Sequence, residues 1–200
     1  NDNTYISSDA GKRLYTPITN MANYLNHYLD YGGEKFASCD IGSSQPFFFL
    51  AILNESFYNN GGKFSISNEY FSSLSSSYSS SFSLTLVKTL QQSDNQDLEV
   101  FKELVLSGKL YLYLMDELYQ EHGIKLTKQQ FKNEHFFWAW YGSNKTINHP
   151  DAIFRRLFKD RFPTVHAIMM LFKKKNYKHF PALLTLVESY VVKERVCRKI

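Results

Sequence analysis

The stretch Phe36-Ala37-Ser38-Cys39-Asp40-Ile41-Gly42-Ser43-Ser44-Gln45-Pro46 runs straight into Phe47-Phe48-Phe49-Leu50-Ala51-Ile52-Leu53, and its reading decides the fold. A short, mostly apolar run ends on one carboxylate; a tight polar turn follows, and then a strongly apolar segment begins. That is the pattern of strand, turn and helix, with Asp40 at the strand end. Buried strands rarely carry an acid without a partner. A carboxylate at such an edge, beside exposed backbone carbonyls, suits a hard divalent cation such as Mg²⁺. Taken by itself, the local sequence favours the plainer reading, in which Asp40 caps the helix that follows. The rest of the chain shifts that balance.

Upstream, residues 1–12 are polar and turn-rich and read as a surface lead-in. Pro17 blocks a helix through Arg13–Asn23. Thr19 or Asn20 can cap a helix over about 20–30, whose stripe of Met21, Tyr24, Leu25, Tyr28 and Leu29 is expected to be core, with Gly32-Gly33 ending it. Downstream, a helix is expected over about 46–57, with Pro46 in its first turn. Residues 59–96 change composition: Asn59-Asn60-Gly61-Gly62 is a turn cluster, and Ser72 to Ser83 contains nine serines. This reads as a lightly ordered insertion.

From Asp97 the period becomes helical. Leu98, Phe101, Leu104 and Val105 repeat at helical spacing until Ser107-Gly108. A second helix is expected from about Leu110 to His122, with Gly123 as terminator. Thr127 caps a third, about 128–141, ending at Gly142. Further helices are expected at roughly 151–160 and 163–175, and a last one opening at Pro181.

The third helix carries Lys128, Lys132, Phe136 and Trp140, each four residues after the last, and this spacing makes one stripe. Two cations one turn apart, followed by aromatics, suit a phosphate chain and a base. The plainer alternative is an amphipathic helix with a solvated basic end and a buried aromatic end. Residues 155–178 hold eight lysines and arginines against the single acid Asp160. That run fits either a nucleic-acid backbone or a solvated face. The six histidines show no HxxxH or HxH spacing, and there is no Gly-rich phosphate loop and no GxSxG elbow.

The bulk composition sets bounds. Hydrophobic residues make up 44% of the 200-residue chain and aromatics 16%, which is globular rather than disordered. A formal net charge of +4 permits a polyanionic partner without requiring one. The two cysteines, Cys39 and Cys197, exclude a cysteine zinc site and a disulfide framework and fit a reducing compartment. No apolar run reaches membrane-span length, so no membrane partner is expected. The start without Met and the stop at Ile200 within a helical pattern read as a fragment of a longer protein.

Taken in order, these pieces resemble the palm and fingers of family A DNA polymerases. The matching residues are Arg13-Leu14, then Asn20-Met21-Ala22-Asn23; Asp40 followed by Ser44-Gln45; the helix from Leu98 to Ser107 leading to Gly108-Lys109-Leu110-Tyr111; Lys128, Lys132, Phe136 and Tyr141-Gly142; and Phe162-Pro163-Thr164-Val165. The resemblance covers most of residues 11–195 apart from the Ser-rich insertion. It implies an α+β fold: a mostly helical fragment with a small palm-type sheet and a fingers-like helix bundle. The implied divisions are 1–58 (palm part), 59–96 (insertion), 97–178 (fingers-like region) and 179–200 (return helix).

The implied activity is template-directed addition of deoxynucleotides to a primer 3′ end, by two-metal catalysis in the full-length protein. Asp40, with the Ile41 carbonyl, would ligate Mg²⁺. Lys128 and Lys132 would meet the triphosphate, and Phe136, Trp140 and Tyr141 the nucleoside. Arg13, Asn20, Asn23 and Gln45 would face the DNA primer-template. The setting implied is the cytoplasm of a bacterial host, with a phage or mobile-element origin.

The departures from the family are specific. Pro46 replaces the glutamate after Ser-Gln, and Tyr111 replaces a histidine. Lys128 replaces an arginine, losing bidentate phosphate contact. Trp140 takes the tyrosine's place, with Tyr141 one residue late. The second metal aspartate would lie beyond Ile200, so the fragment alone is expected to be inactive. The alternatives are a catalytically inactive nucleic-acid-binding protein on the same scaffold, and a helical interaction module.

Overall fold

A computed structural model describes residues 5–6, 14–15, 23–35, 43–54, 96–143, 149–174 and 176–191. Asp40, Ile41, Arg13, Asn20, the expected strand Phe36–Ile41 and residues 59–95 of the insertion lie outside them, as does the side chain of Asn23.

The described residues are mostly helical. The α-helices are α1 (Ser44–Ile52), α2 (Gln96–Leu106), α3 (Leu110–His122), α4 (Lys128–His135), α5 (Ile153–Arg161), α6 (Pro163–Lys173) and α7 (His179–Tyr190). A π-helical segment, Phe136–Tyr141, continues α4 without a break. Punctuation in the sequence sets most of these limits. Gly108 and Gly123 follow α2 and α3 with φ of 70° and 66°, the left-handed conformation that ends helices. Thr127 opens α4 with a capping box: its side chain accepts from the Gln130 amide while Gln130 accepts from the Thr127 amide. Pro46 and Pro163 sit in first turns, where the missing N–H costs nothing.

The expected palm-type sheet is not shown among the described residues. Among the described residues, strand pairing is limited to two antiparallel ladders of two residues each. One joins β1 (Tyr5–Ile6) to β2 (Leu14–Tyr15), the other β3 (Asp30–Tyr31) to β4 (Glu34–Lys35). Gly32-Gly33 is the turn of the second ladder rather than a helix stop. Both glycines have positive φ, 62° and 87°, as a two-residue hairpin turn demands. Of the helix expected over 20–30, the described residues form a 3-10 segment, Asn23–Tyr28. Within its stripe, Tyr24 and Tyr28 are not core, at 69% and 80% exposed. Asp30 and Tyr31, at the end of the expected helix, pair in the ladder instead.

One aromatic core joins the helices. Phe49 of α1 meets Phe101 of α2, Trp140 of the π segment and Phe180 of α7 edge-on, at 6.3, 5.7 and 5.1 Å between ring centroids. Phe180 also stacks on Trp140 at 5.7 Å. Two polar links lock helices across this core. The Asp97 carboxylate on α2 accepts from the Thr164 and Val165 amides at the start of α6, at 2.7 and 3.4 Å. It thereby caps a helix on which it does not lie. Arg161, at the end of α5, bridges Glu117 and Glu121 of α3.

Candidate nucleotide-binding face

The face is built by α4 and the π segment. In an α-helix, side chains five apart point about 140° from each other. A π turn closes hydrogen bonds from i to i+5, so residues five apart come onto one side. Two such pairs form here. The Phe136 and Tyr141 rings stack, 5.6 Å apart and 20° from parallel. On the buried side, Trp140 Nε1 donates to His135 Nε2 at 2.9 Å.

This turn redistributes the expected stripe. Lys128 is exposed and Lys132 is half-buried. The Lys132 ammonium lies 6.0 Å from the centre of the Phe136 ring. Phe136 is half-buried and Tyr141 is 39% exposed, so an ordered cation–aromatic–aromatic face remains open. Trp140 leaves it. At 0% exposure, between Phe49 and Phe180, its indole is core and offers no surface to a nucleoside. The π turn thus brings Tyr141 rather than Trp140 beside Phe136. Nothing in a four-residue repeat signals that register change.

Beneath the face lies Tyr111, at the start of α3. Its ring meets Phe131, His135 and Phe136 at 6.3, 6.1 and 6.1 Å. Burial raises its phenol well above the ordinary range, partly offset by the neighbouring Ser43 side chain. Ser43 precedes α1 in the left-handed conformation, with φ 58°. Two residues on, Gln45 is buried and its Oε1 has no hydrogen-bond partner. A buried glutamine side chain in this position is not a surface contact for a primer-template.

Three further residues carry the site, and neither histidine spacing nor the basic run singles them out. His135 is buried and accepts from Trp140, so it stands neutral with its proton on Nδ1. Burial, then the Lys173 charge, pushes its pKa down to about 3. Lys173, 2% exposed, donates from Nζ to Ala139 O at 2.8 Å and Gly142 O at 3.4 Å. Burial, then Arg155, lowers it to about 7. Arg155 is fully buried and donates to Ser143 O at 2.6 Å and towards Met170 Sδ at 3.0 Å. The basic run is therefore not one nucleic-acid track. Arg155 and Lys173 point inward, Arg161 is ion-paired, and Arg156 donates to the carbonyls of His149 and Pro150.

Among the described residues no group of three His, Cys, Asp or Glu side chains could hold a metal ion. Nor is any described helix long and apolar enough to cross a membrane. No family model, curated protein or solved structure matches the chain.

Proposed function

We propose that the chain is the palm-and-fingers part of a template-directed nucleotidyltransferase of the family A DNA polymerase type, which in its full-length form extends a DNA primer. One observation carries the reading: the π turn brings Tyr141 beside Phe136 on the same face as Lys132, despite the extra residue between the matching motifs. Cations followed by two stacked rings suit a deoxynucleoside triphosphate, with phosphates on the lysines and the base on the aromatic pair. A small palm sheet around Asp40 belongs to this proposal.

Asp40 and the Ile41 carbonyl, a hard-oxygen donor pair, would hold Mg²⁺, which when bound activates the 3′-oxygen and neutralises the pyrophosphate. The remaining work falls to the chain's own side chains. Lys132 sits beside the aromatic pair, where it neutralises charge on the phosphate nearest the base. Lys128, one turn earlier and more exposed, gathers the distal phosphate. Phe136 supplies the ring face, and Tyr141 fixes the orientation of that ring by stacking on it. Trp140 and Tyr111 support the face from below.

Equilibrium binding of a deoxynucleoside triphosphate tests the reading. Lys132→Ala should weaken it roughly ten- to hundredfold, the worth of one charge-assisted contact. Stability should change by no more than about 0.5 kcal/mol. Unchanged binding would remove the nucleotide site. A second reading, a catalytically inactive nucleic-acid-binding protein, is favoured by Pro46, which puts an imino acid where the family has a carboxylate. Retained single-stranded DNA binding without triphosphate binding would support it.

A further inference from the structure

A π register is rare in helices and mostly confined to single turns, so something outside the segment must hold it. A helix end leaves its last carbonyls unpartnered, and its negative pole favours cations. The usual remedy, a left-handed glycine, is not used here. Gly142 leaves the π segment with φ −62° and ψ 152°, an extended exit. Instead the carbonyls of Ala139 and Gly142 receive Lys173 from the end of α6, and that of Ser143 receives Arg155 from α5. Arg155 comes from the next α-helix and Lys173 from the one after it, and both are buried. Burying a cation costs free energy unless strong hydrogen bonds offset it, so two placed on one turn mark that turn as constrained. Gly142 fits the same picture. A Cβ there would lie 2.9 Å from the Trp138 carbonyl oxygen and 3.0 Å from that of Phe137, so the carbonyl-lined exit accepts only glycine without shifting.

We propose that Lys173 and Arg155 are positioning residues that hold Phe136–Tyr141 in its π register and so keep Tyr141 stacked on Phe136 to receive a nucleotide base. The nucleotide clause rests on the function proposed above; the register clause does not. Lys173→Met keeps the stem volume and removes the donors, while Lys173→Arg restores a cation. Two measurements on the full chain separate the clauses. The first is amide hydrogen exchange. In Lys173→Met the amides of 139–142 should exchange at least about tenfold faster, with those of α2 and α3 unchanged, as expected for local opening. The second is affinity for dATP, which should weaken about tenfold and recover in Lys173→Arg. Exchange that is unchanged at 139–142, or that rises equally everywhere, overturns the positioning role. Faster local exchange in a protein whose wild type binds no dATP upholds the role and overturns the nucleotide function. If Lys173→Met does not fold, Gly142→Ala, read by the same two measurements, challenges the turn from its other side.

Discussion

At the residue scale, the clearest contrast is between neighbours on one turn. Phe136 and Trp140 look equivalent in sequence, but only Trp140 is enclosed. Trp140→Ala should cost about 3–5 kcal/mol in urea unfolding, since it empties the centre of the core. Phe136→Ala should cost less and instead weaken triphosphate binding by about 1–3 kcal/mol. Comparable stability losses from both would place Phe136 in the core as well. The buried histidines give a pH signature. Burial, with nearby cations, holds His135 at about 3 and His166 at about 4, below the ordinary histidine value of 6.5. In that interval the unfolded chain binds protons that the folded chain refuses. Stability therefore falls as pH drops below 6.5, by about 1.4 kcal/mol per pH unit for each histidine. Replacing His166 with Gln should remove about one proton from the slope of stability against pH between 5 and 6. An unaltered slope would show that His166 titrates normally. Lys173, lowered to about 7 from 10.5, acts in the same direction at higher pH: the penalty of burying its charge is relieved as pH rises from 7 towards 10.

At the element scale, the cap that Asp97 places on α6 joins two helices that are distant in sequence. Asp97→Ala should cost about 1 kcal/mol and shift the urea midpoint without changing cooperativity. The helices were readable because their signals are local. Gly108, Gly123 and the Thr127/Gln130 box each act within a few residues, and each marks an observed boundary. What escaped was set by partners elsewhere in the chain. The π register of Phe136–Tyr141 is held by cations from α5 and α6, which no window over 128–142 contains. Lys173 and Arg155 lie in a run whose composition fits a nucleic-acid backbone or a solvated face, and only the fold turns them inward. Gly32-Gly33 was legible as a break, but a helix stop and a hairpin turn use the same residue type. For the candidate site, the lysines and Phe136 were legible from spacing. Replacement of Trp140 by Tyr141 was not.

At the scale of the whole molecule, Phe180 ties regions that the sequence presents as separate. It touches Phe49 in α1, Trp140 in the π segment, and Phe172 in α6 at 6.1 Å. Phe49, Trp140 and Phe172 would lose a buried neighbour together if α7 were absent. A construction spanning only 97–178 should therefore lack a sigmoidal urea transition, while the full chain shows one. A cooperative transition in the shorter piece would mean that residues 97–178 have a core of their own.

Trp138 and Trp140 are the only tryptophans, two residues apart on the turn that defines the candidate site. Trp138 is half-exposed, stacked on His149 at 5.2 Å and donating to Glu134, whereas Trp140 is sealed. The chain thus carries a matched pair of optical reporters, one that a dissolved quencher such as acrylamide can reach and one that it cannot. Loss of the π register would rotate both indoles at once, making the two emissions less distinct without any label being added.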